Sequence, residues 1–228
     1  LASAITLVGT LQAAGLWPKI LRLNPFAGNN LAACLAPLVQ GSGRAVDLNV
    51  NFVSGDYAKT AGLAGNGTAY LRTGFIWPHP LCVGGFAVHH RSGAANNRAV
   101  AGCTSTGTGL IRVEVPASTS DFAFRMGYSA TDIQLSRSAG LWHMRRANNA
   151  DFKVFRNGVE VGANTSASTA PTPAVEMAIF VVNSNGSFVQ PIRNYRLQGY
   201  SMDDGSMSDA EMATFRTAWQ AFQTAIGR

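Results

Sequence analysis
The sequence predicts a mainly β protein, a jelly-roll sandwich with a short helical segment in front and a single helix at its end. Three observations predict it. From about residue 49 onward, short β-prone stretches alternate with clusters of Gly, Asn, Ser and Thr; an Asn-Gly dipeptide marks a tight hairpin; and helical periodicity is confined to the two ends of the chain. A chain of 228 residues lies within the range that such folds reach as one unit, and 46% hydrophobic residues can fill a sizeable core. No apolar run approaches the eighteen residues of a membrane span, so the chain reads as a soluble globular protein.

The elements follow in order. In "LASAITLVGTLQAAGL", Leu1, Ile5, Val8 and Leu11 recur at helical spacing, and Gly15 stands where that helix would stop. A second short helix or turn is expected over Trp17 to Leu23. A third apolar segment, "NLAACLAPLV", is broken by Pro37 before the loop "GSGR". The strand candidates are then "LNVNFV", "TAYLRTGF", "VGGFAVHH", "GLIRVEV", "DFAFRMGY", "GLWHMRRA", "FKVFRNGVEV", "VEMAIFVVN" and "YRLQGYSM". Between the first two, Gly62, Gly65 and Gly67 form a Gly-rich connection, with "GNG" a turn and each glycine fitting a positive φ or a close approach. In "DFAFRMGY", Phe122, Phe124 and Met126 share one face. "AIFVVN" is apolar on both faces and reads as a central strand. Asn157-Gly158 supplies the positive φ of a type I′ turn between alternating flanks. The Ser/Thr/Pro run "ANTSASTAPTPA" is expected as an exposed loop. Finally, Ser208 and Glu211 form a capping box before the stripe Met212, Phe215, Trp219, Phe222 and Ile226, which should dock a helix on the sheet or on a neighbouring subunit.

Composition narrows the functional classes. Charged residues make up 13% of the chain, about half the usual fraction, so the surface must be rich in small polar residues suited to packing against other proteins. The net charge of +6 comes from arginines scattered between Arg22 and Arg228 rather than gathered into a patch, which argues against nucleic acid as a partner. Cys34, Cys82 and Cys103 are odd in number and lack metal-ligand spacing, so they are expected as buried free thiols of a chain that folds in a reducing compartment. Glu114, Glu160 and Glu176 are isolated, no ExDxxE-like carboxylate pattern or GxSxG elbow occurs, and neither catalysis nor a cofactor is expected. Asp203-Asp204 is the only close acidic pair; a turn and cap explain it better than a calcium site, and no metal is assigned.

Two clusters remain as candidate glycan or partner contacts. Trp77, with His89, His90 and Arg91 in "HHR" and Arg145 and Arg146 in "WHMRRANN", could line a sugar or anion site, because aromatic faces stack on apolar sugar surfaces while Arg donates hydrogen bonds. The competing reading places these side chains on ordinary strands with Trp142 in the core. Trp17, Ile20, Leu21 and Phe26 offer more apolar surface than their short segment can bury, and are candidate assembly contacts.

The "NGVEV" hairpin, the strand-rich middle and the closing "YRLQGYSMDDGSMSDAEMATF" resemble the concanavalin A-like jelly roll of the laminin-G and lectin superfamily. The front end, "AITLVGTLQAAGLWPKILRLNPFAGNNLAACLAPLV" followed by "NFVSGDYAKTAGLAGNGTAYLRTGF", with "FQTAIGR" at the far end, resembles tailed-bacteriophage virion proteins of that type. The resemblance implies a helical docking segment at 1–46 and a jelly roll at 47–228 that ends in a helix over 208–226. It also implies a virion structural protein, namely a capsid decoration, head-fibre or tail-fibre subunit, assembled in the host cytoplasm as a homo-oligomer with other virion proteins. The alternative it carries is a glycan-binding adsorption module that recognises host surface carbohydrate.

Overall fold
The computed structural model describes residues 2–93, 98–116, 121–127, 133–168 and 170–228; Leu1, Tyr128 of "DFAFRMGY" and Thr169 of the Ser/Thr/Pro loop lie outside them. The fold is a β-sandwich with a helix layer on one sheet. The helix-covered sheet runs β13 (Val159–Asn164), β12 (Asp151–Arg156), β11 (Gly140–Asn148), β6 (Gly84–Gly93), β17 (Arg193–Asp203), β4 (Gly62–Asn66) and β3 (Tyr57–Ala58). Strand β1 (Ile20–Asn24) pairs with the second half of β17. The second sheet runs β10 (Ile133–Ser136), β9 (Asp121–Gly127), β8 (Leu110–Val115), β7 (Arg98–Thr104), β14 (Ala178–Ile179), β5 (Tyr70–Arg72) and β2 (Leu48–Val50). The hairpin of β15 (Val182–Ser184) and β16 (Ser187–Val189) joins it beside β7.

Period-2 alternation sorts the side chains between two cores. Phe86, Val88, Phe122, Phe124, Met126, Trp142, Met144, Tyr195 and Tyr200 point between the sheets, where the expected face of β9 packs with Phe122 and Phe124 at zero exposure. On β6 and β11, the intervening Ala87 and Leu141 point to the helix layer instead. There α3 (Asp209–Ala225) lays Met212, Phe215, Trp219 and Phe222 on the sheet, as its stripe predicts. Its capping box closes as expected: the Ser208 hydroxyl accepts from the Glu211 N–H, and the Glu211 carboxylate accepts from the Ser208 N–H at 2.7 Å. Helix α1 (Ala2–Ala13) packs on α3 through Leu7 and Leu11, while Ile5 is 63% exposed. Of the expected stripe, Leu11 is buried but Ile5 is not, and the buried face runs through Leu7 and Leu11 instead. A helix with no charged residue carries a weak periodic signal, and contact with α3 selects the face.

The front segment is woven into the sandwich. Trp17–Lys19 form a short 3-10 turn, and the chain then runs as β1 instead of continuing as helix to Leu23, because the edge of β17 offers unpaired backbone partners to Ile20, Arg22, Leu23 and Asn24. Arg22 is fully buried and donates to Asp47 Oδ1 at 2.6 Å and to the Tyr200 hydroxyl at 2.8 Å, and Asn24 donates to Asp47 Oδ2. Residues on both sides of position 46 thus share one buried network. Helix α2 (Leu31–Cys34) is a single turn, capped by the Asn30 side chain on the Ala33 N–H.

Three expectations change. The Gly-rich connection is strand β4, which Gly62 opens with φ of 91° and Gly67 follows with φ of 94°. Glycine lets this backbone lie against Leu197 and Ile192, and without side-chain periodicity the strand left no signal. "AIFVVN" is not one central strand: Phe180 has φ of 69°, and the chain reverses there between β14 and β15. Both arms are buried, so an apolar run could not reveal the reversal. The Ser/Thr/Pro loop is partly enclosed, with Ser168 at zero exposure and the Thr172 hydroxyl accepting from the Cys82 N–H. The Asn157-Gly158 turn forms as expected, with φ of 51° and 77° and Arg156 paired to Val159.

Candidate glycan-binding face
Of the six side chains expected to line a glycan site, only Arg91 is exposed. Trp77 is 4% exposed and meets Phe75 edge-on inside the sandwich. His89 points to the helix layer, where its Nδ1 accepts from Trp219 Nε1 at 2.9 Å, and burial pushes its pKa down to about 4. The next residue on β6, His90, points the other way and stacks on Tyr195 at 4.6 Å. On β11, Arg145 reaches under the start of α3 to Asp209 at 2.9 Å, while Arg146 donates to the carbonyls of Met126 and Asn149. Alternation sends neighbours to opposite faces, and both faces of this sheet are covered. These residues therefore form no common surface.

The assembly candidates are similarly divided. Ile20 is 4% exposed and Phe26 is fully buried, its ring 5.7 Å from Tyr200. Trp17 and Leu21 are half-buried against the helix layer and the inter-sheet core respectively. The three cysteines are buried thiols, with desolvation pushing Cys34 up to about 12 and Cys82 up to about 11. Asp203 does more than shape a turn, since it accepts from the Gly205 N–H and lies 2.7 Å from His143 Nε2, both side chains being buried. Among the described residues no group of three His, Cys, Asp or Glu is placed to hold a metal ion.

The helix layer leaves the outward face of the second sheet to side chains. Leu71 on β5 is fully buried, so Tyr70 and Arg72 point outward from either side of it. The hairpin β15–β16 brings Phe188 over them: its ring stacks on Tyr70 at 4.7 Å and 19°, and the Arg72 guanidinium lies 5.1 Å from its centre. Arg72 is fixed in turn by Glu176, with Nε and Nη2 each 2.6 Å from Oε1, while Oε2 accepts from the Gly74 N–H. Asn183 on β15 donates to the Glu176 carbonyl at 2.9 Å, which ties hairpin and patch together. Tyr70, Arg72 and Phe188 are all half-buried, and Arg72 retains 35% exposure of its side chain.

This arrangement combines two aromatic rings with a charged pair of fixed geometry. Ring faces and edges contact the C–H surface of a sugar, and a guanidinium beside a carboxylate offers donors and acceptors to its hydroxyls. Elsewhere on the same face, Arg112 and Arg125 both bond Glu114, with Arg125 Nη2 at 3.4 Å. "AYLRTGF" alone signals that Tyr70 and Arg72 share a side. Phe188 and Glu176, 118 and 104 positions away from them, could be found only from the pairing of distant strands.

No family model and no curated protein matches the chain. Solved structures of the same fold do. Domain 4 of AbnA, a GH43 extracellular arabinanase from Geobacillus stearothermophilus solved with arabinotriose, matches with a TM-score of 0.57 at 13% identity over 86% of this chain and 98% of that one. The binding domain of botulinum neurotoxin serotype G matches with a TM-score of 0.56 at 8% identity, over 87% of this chain and 50% of that one. Trypanosoma rangeli sialidase, solved with 2,3-difluoro-KDN, matches with a TM-score of 0.54 at 10% identity, over 92% of this chain and 33% of that one. The chain thus spans about half the length of the toxin domain and a third of the sialidase. At these identities the likeness is one of fold, and it identifies this chain as a β-sandwich of the kind these three structures contain.

Proposed function
We propose that this protein is a glycan-binding module without catalytic chemistry of its own, and that Tyr70, Phe188, Arg72 and Glu176 form its sugar platform. The observation that carries the reading is the half-exposed aromatic pair locked beside an Arg–Glu pair on the sheet face that the helices do not cover. The sandwich fold, shared with an arabinanase domain solved with arabinotriose, supports it. A single carboxylate at the patch among the described residues suits binding, whereas glycoside hydrolysis uses two across a sugar. The virion reading, with its homo-oligomer and particle partners, rests on sequence resemblance alone; none of the three neighbours is described as a virion protein.

The test is titration with a panel of neutral and acidic oligosaccharides, read by calorimetry and by thermal shift. At least one should raise the melting temperature saturably. Phe188→Ala should weaken that sugar roughly five- to tenfold, the worth of one stacking contact, and Arg72→Gln should weaken it further. If no oligosaccharide binds, or if Phe188→Ala and Arg72→Gln both bind as tightly as the parent chain, the platform is misplaced.

A further inference from the structure
Strand β2 is the last strand of the second sheet, and among the described residues it pairs with β5 alone. Its outer side therefore presents main-chain groups with no strand beside them. The surface next to this edge is unusually apolar for an edge: Val46, Leu48 and Val53 are 51%, 42% and 63% exposed within eight consecutive residues. Leu31 and Leu35, at the two ends of the α2 turn, face Val46 and Leu48 across a groove of about 560 Å³. Natural edges are usually blunted by charges, Pro or bulges, and this one is flanked by a hydrophobic trough instead.

Charge at the groove selects what would fill it. Arg44 lines it, is exposed, and its guanidinium has no carboxylate partner among the described residues. The nearest acid in sequence, Asp47, is 1% exposed and already bonded to Arg22, Asn24 and Tyr200. Asp56 accepts from the Val53 N–H and from Asn66. The Asn49 side chain is likewise occupied, closing a turn on Phe52. What remains for a ligand is an unpaired strand edge, an aliphatic trough and one cation.

From this we propose that β2 docks an extended peptide segment of a partner protein by strand addition, with an aliphatic side chain in the Leu31–Leu35–Val46–Leu48 groove and a carboxylate against Arg44. Main-chain hydrogen bonds to β2 supply the binding, and the groove and Arg44 supply selectivity. The edge adjoins the platform proposed for sugars, since β2 pairs Leu48 with Arg72 and Val50 with Tyr70, but it offers main-chain groups where the platform offers side chains.

The test uses a fluorescein-labelled peptide of alternating Thr and Val that ends in Asp with a free carboxylate, and a counterpart that ends in Lys amide. Fluorescence anisotropy on the full chain should show saturable binding of the acidic peptide. Arg44→Glu should weaken it at least about tenfold, by charge reversal, and shift preference to the Lys-ended peptide. Leu48→Lys, at an exposed position, should abolish binding of both. Bound peptide should slow amide exchange at the β2 N–H groups that face away from β5. The proposal fails if the parent chain binds neither peptide, or if Arg44→Glu binds the acidic peptide as well as the parent does. It also fails if sedimentation shows a dimer that Leu48→Lys abolishes, since the edge would then serve a second copy of this chain.

Discussion

His89 should make the fold acid-sensitive well above the range in which carboxylates protonate. The Trp219 indole can only donate, so its bond fixes His89 Nδ1 as an acceptor, with the ring neutral and its proton on Nε2. Protonation would set one N–H against another in a buried site that Arg228, His90 and Arg91 already make positive. Burial, the largest cause, and these charges push the pKa from 6.5 down to about 4. The folded state then binds fewer protons than the unfolded chain between these values, so stability is full above pH 6.5 and falls as pH drops, levelling off below about 4. At about 1.4 kcal/mol per pKa unit, acidification from pH 7 to pH 5 removes about 2 kcal/mol and the complete titration about 3 kcal/mol. His89→Asn places an amide oxygen near the Nδ1 position and does not titrate. Urea unfolding of both proteins at half-unit pH steps isolates the effect, because contributions from other groups cancel in the difference. The stability of the parent relative to His89→Asn should fall by about 2 kcal/mol between pH 7 and pH 5. A difference that stays flat, or that rises on acidification, would refute the argument.

Two further predictions concern the backbone and the buried charges. Gly62→Ala should cost on the order of 2 to 4 kcal/mol in urea unfolding, because the residue holds φ of 91° and a methyl group there would overlap the Leu197 carbonyl oxygen. Gly107→Ala, with φ of 73° and no atom within 4 Å of the added carbon, should cost only about 1 kcal/mol; equal losses would show that contact with β17 is irrelevant. Asp47→Ala leaves the Arg22 guanidinium buried without its carboxylate and should cost roughly 3 to 5 kcal/mol. A loss below about 1 kcal/mol would show that this pair does not hold the front segment to β17.

Much of the architecture can be read in the chain because it is written in local chemistry. The capping box at Ser208, the stripe from Met212 to Phe222, the Asn157-Gly158 turn and the Phe122–Phe124–Met126 face each depend on residues within a few positions of one another, and each forms as read. The readings that fail depend on pairing between distant segments. Strand β4 has little side-chain pattern and exists because β17 lies beside it. β1 is a strand because β17 has an edge to fill. Phe180 turns the chain inside a run whose hydrophobicity is the same on either side of the reversal. The candidate sites divide in the same way. "HHR" and "WHMRRANN" look like surface chemistry until the helix layer covers one face of their sheet and the second sheet covers the other. Composition and periodicity determined a β-sandwich with a terminal helix, because burial of an amphipathic face is a local property of sequence. Which polar residues reach solvent, and the meeting of Tyr70 and Arg72 with Phe188 and Glu176, were decided by strand order, since contacts across a sheet leave no periodic trace in the chain.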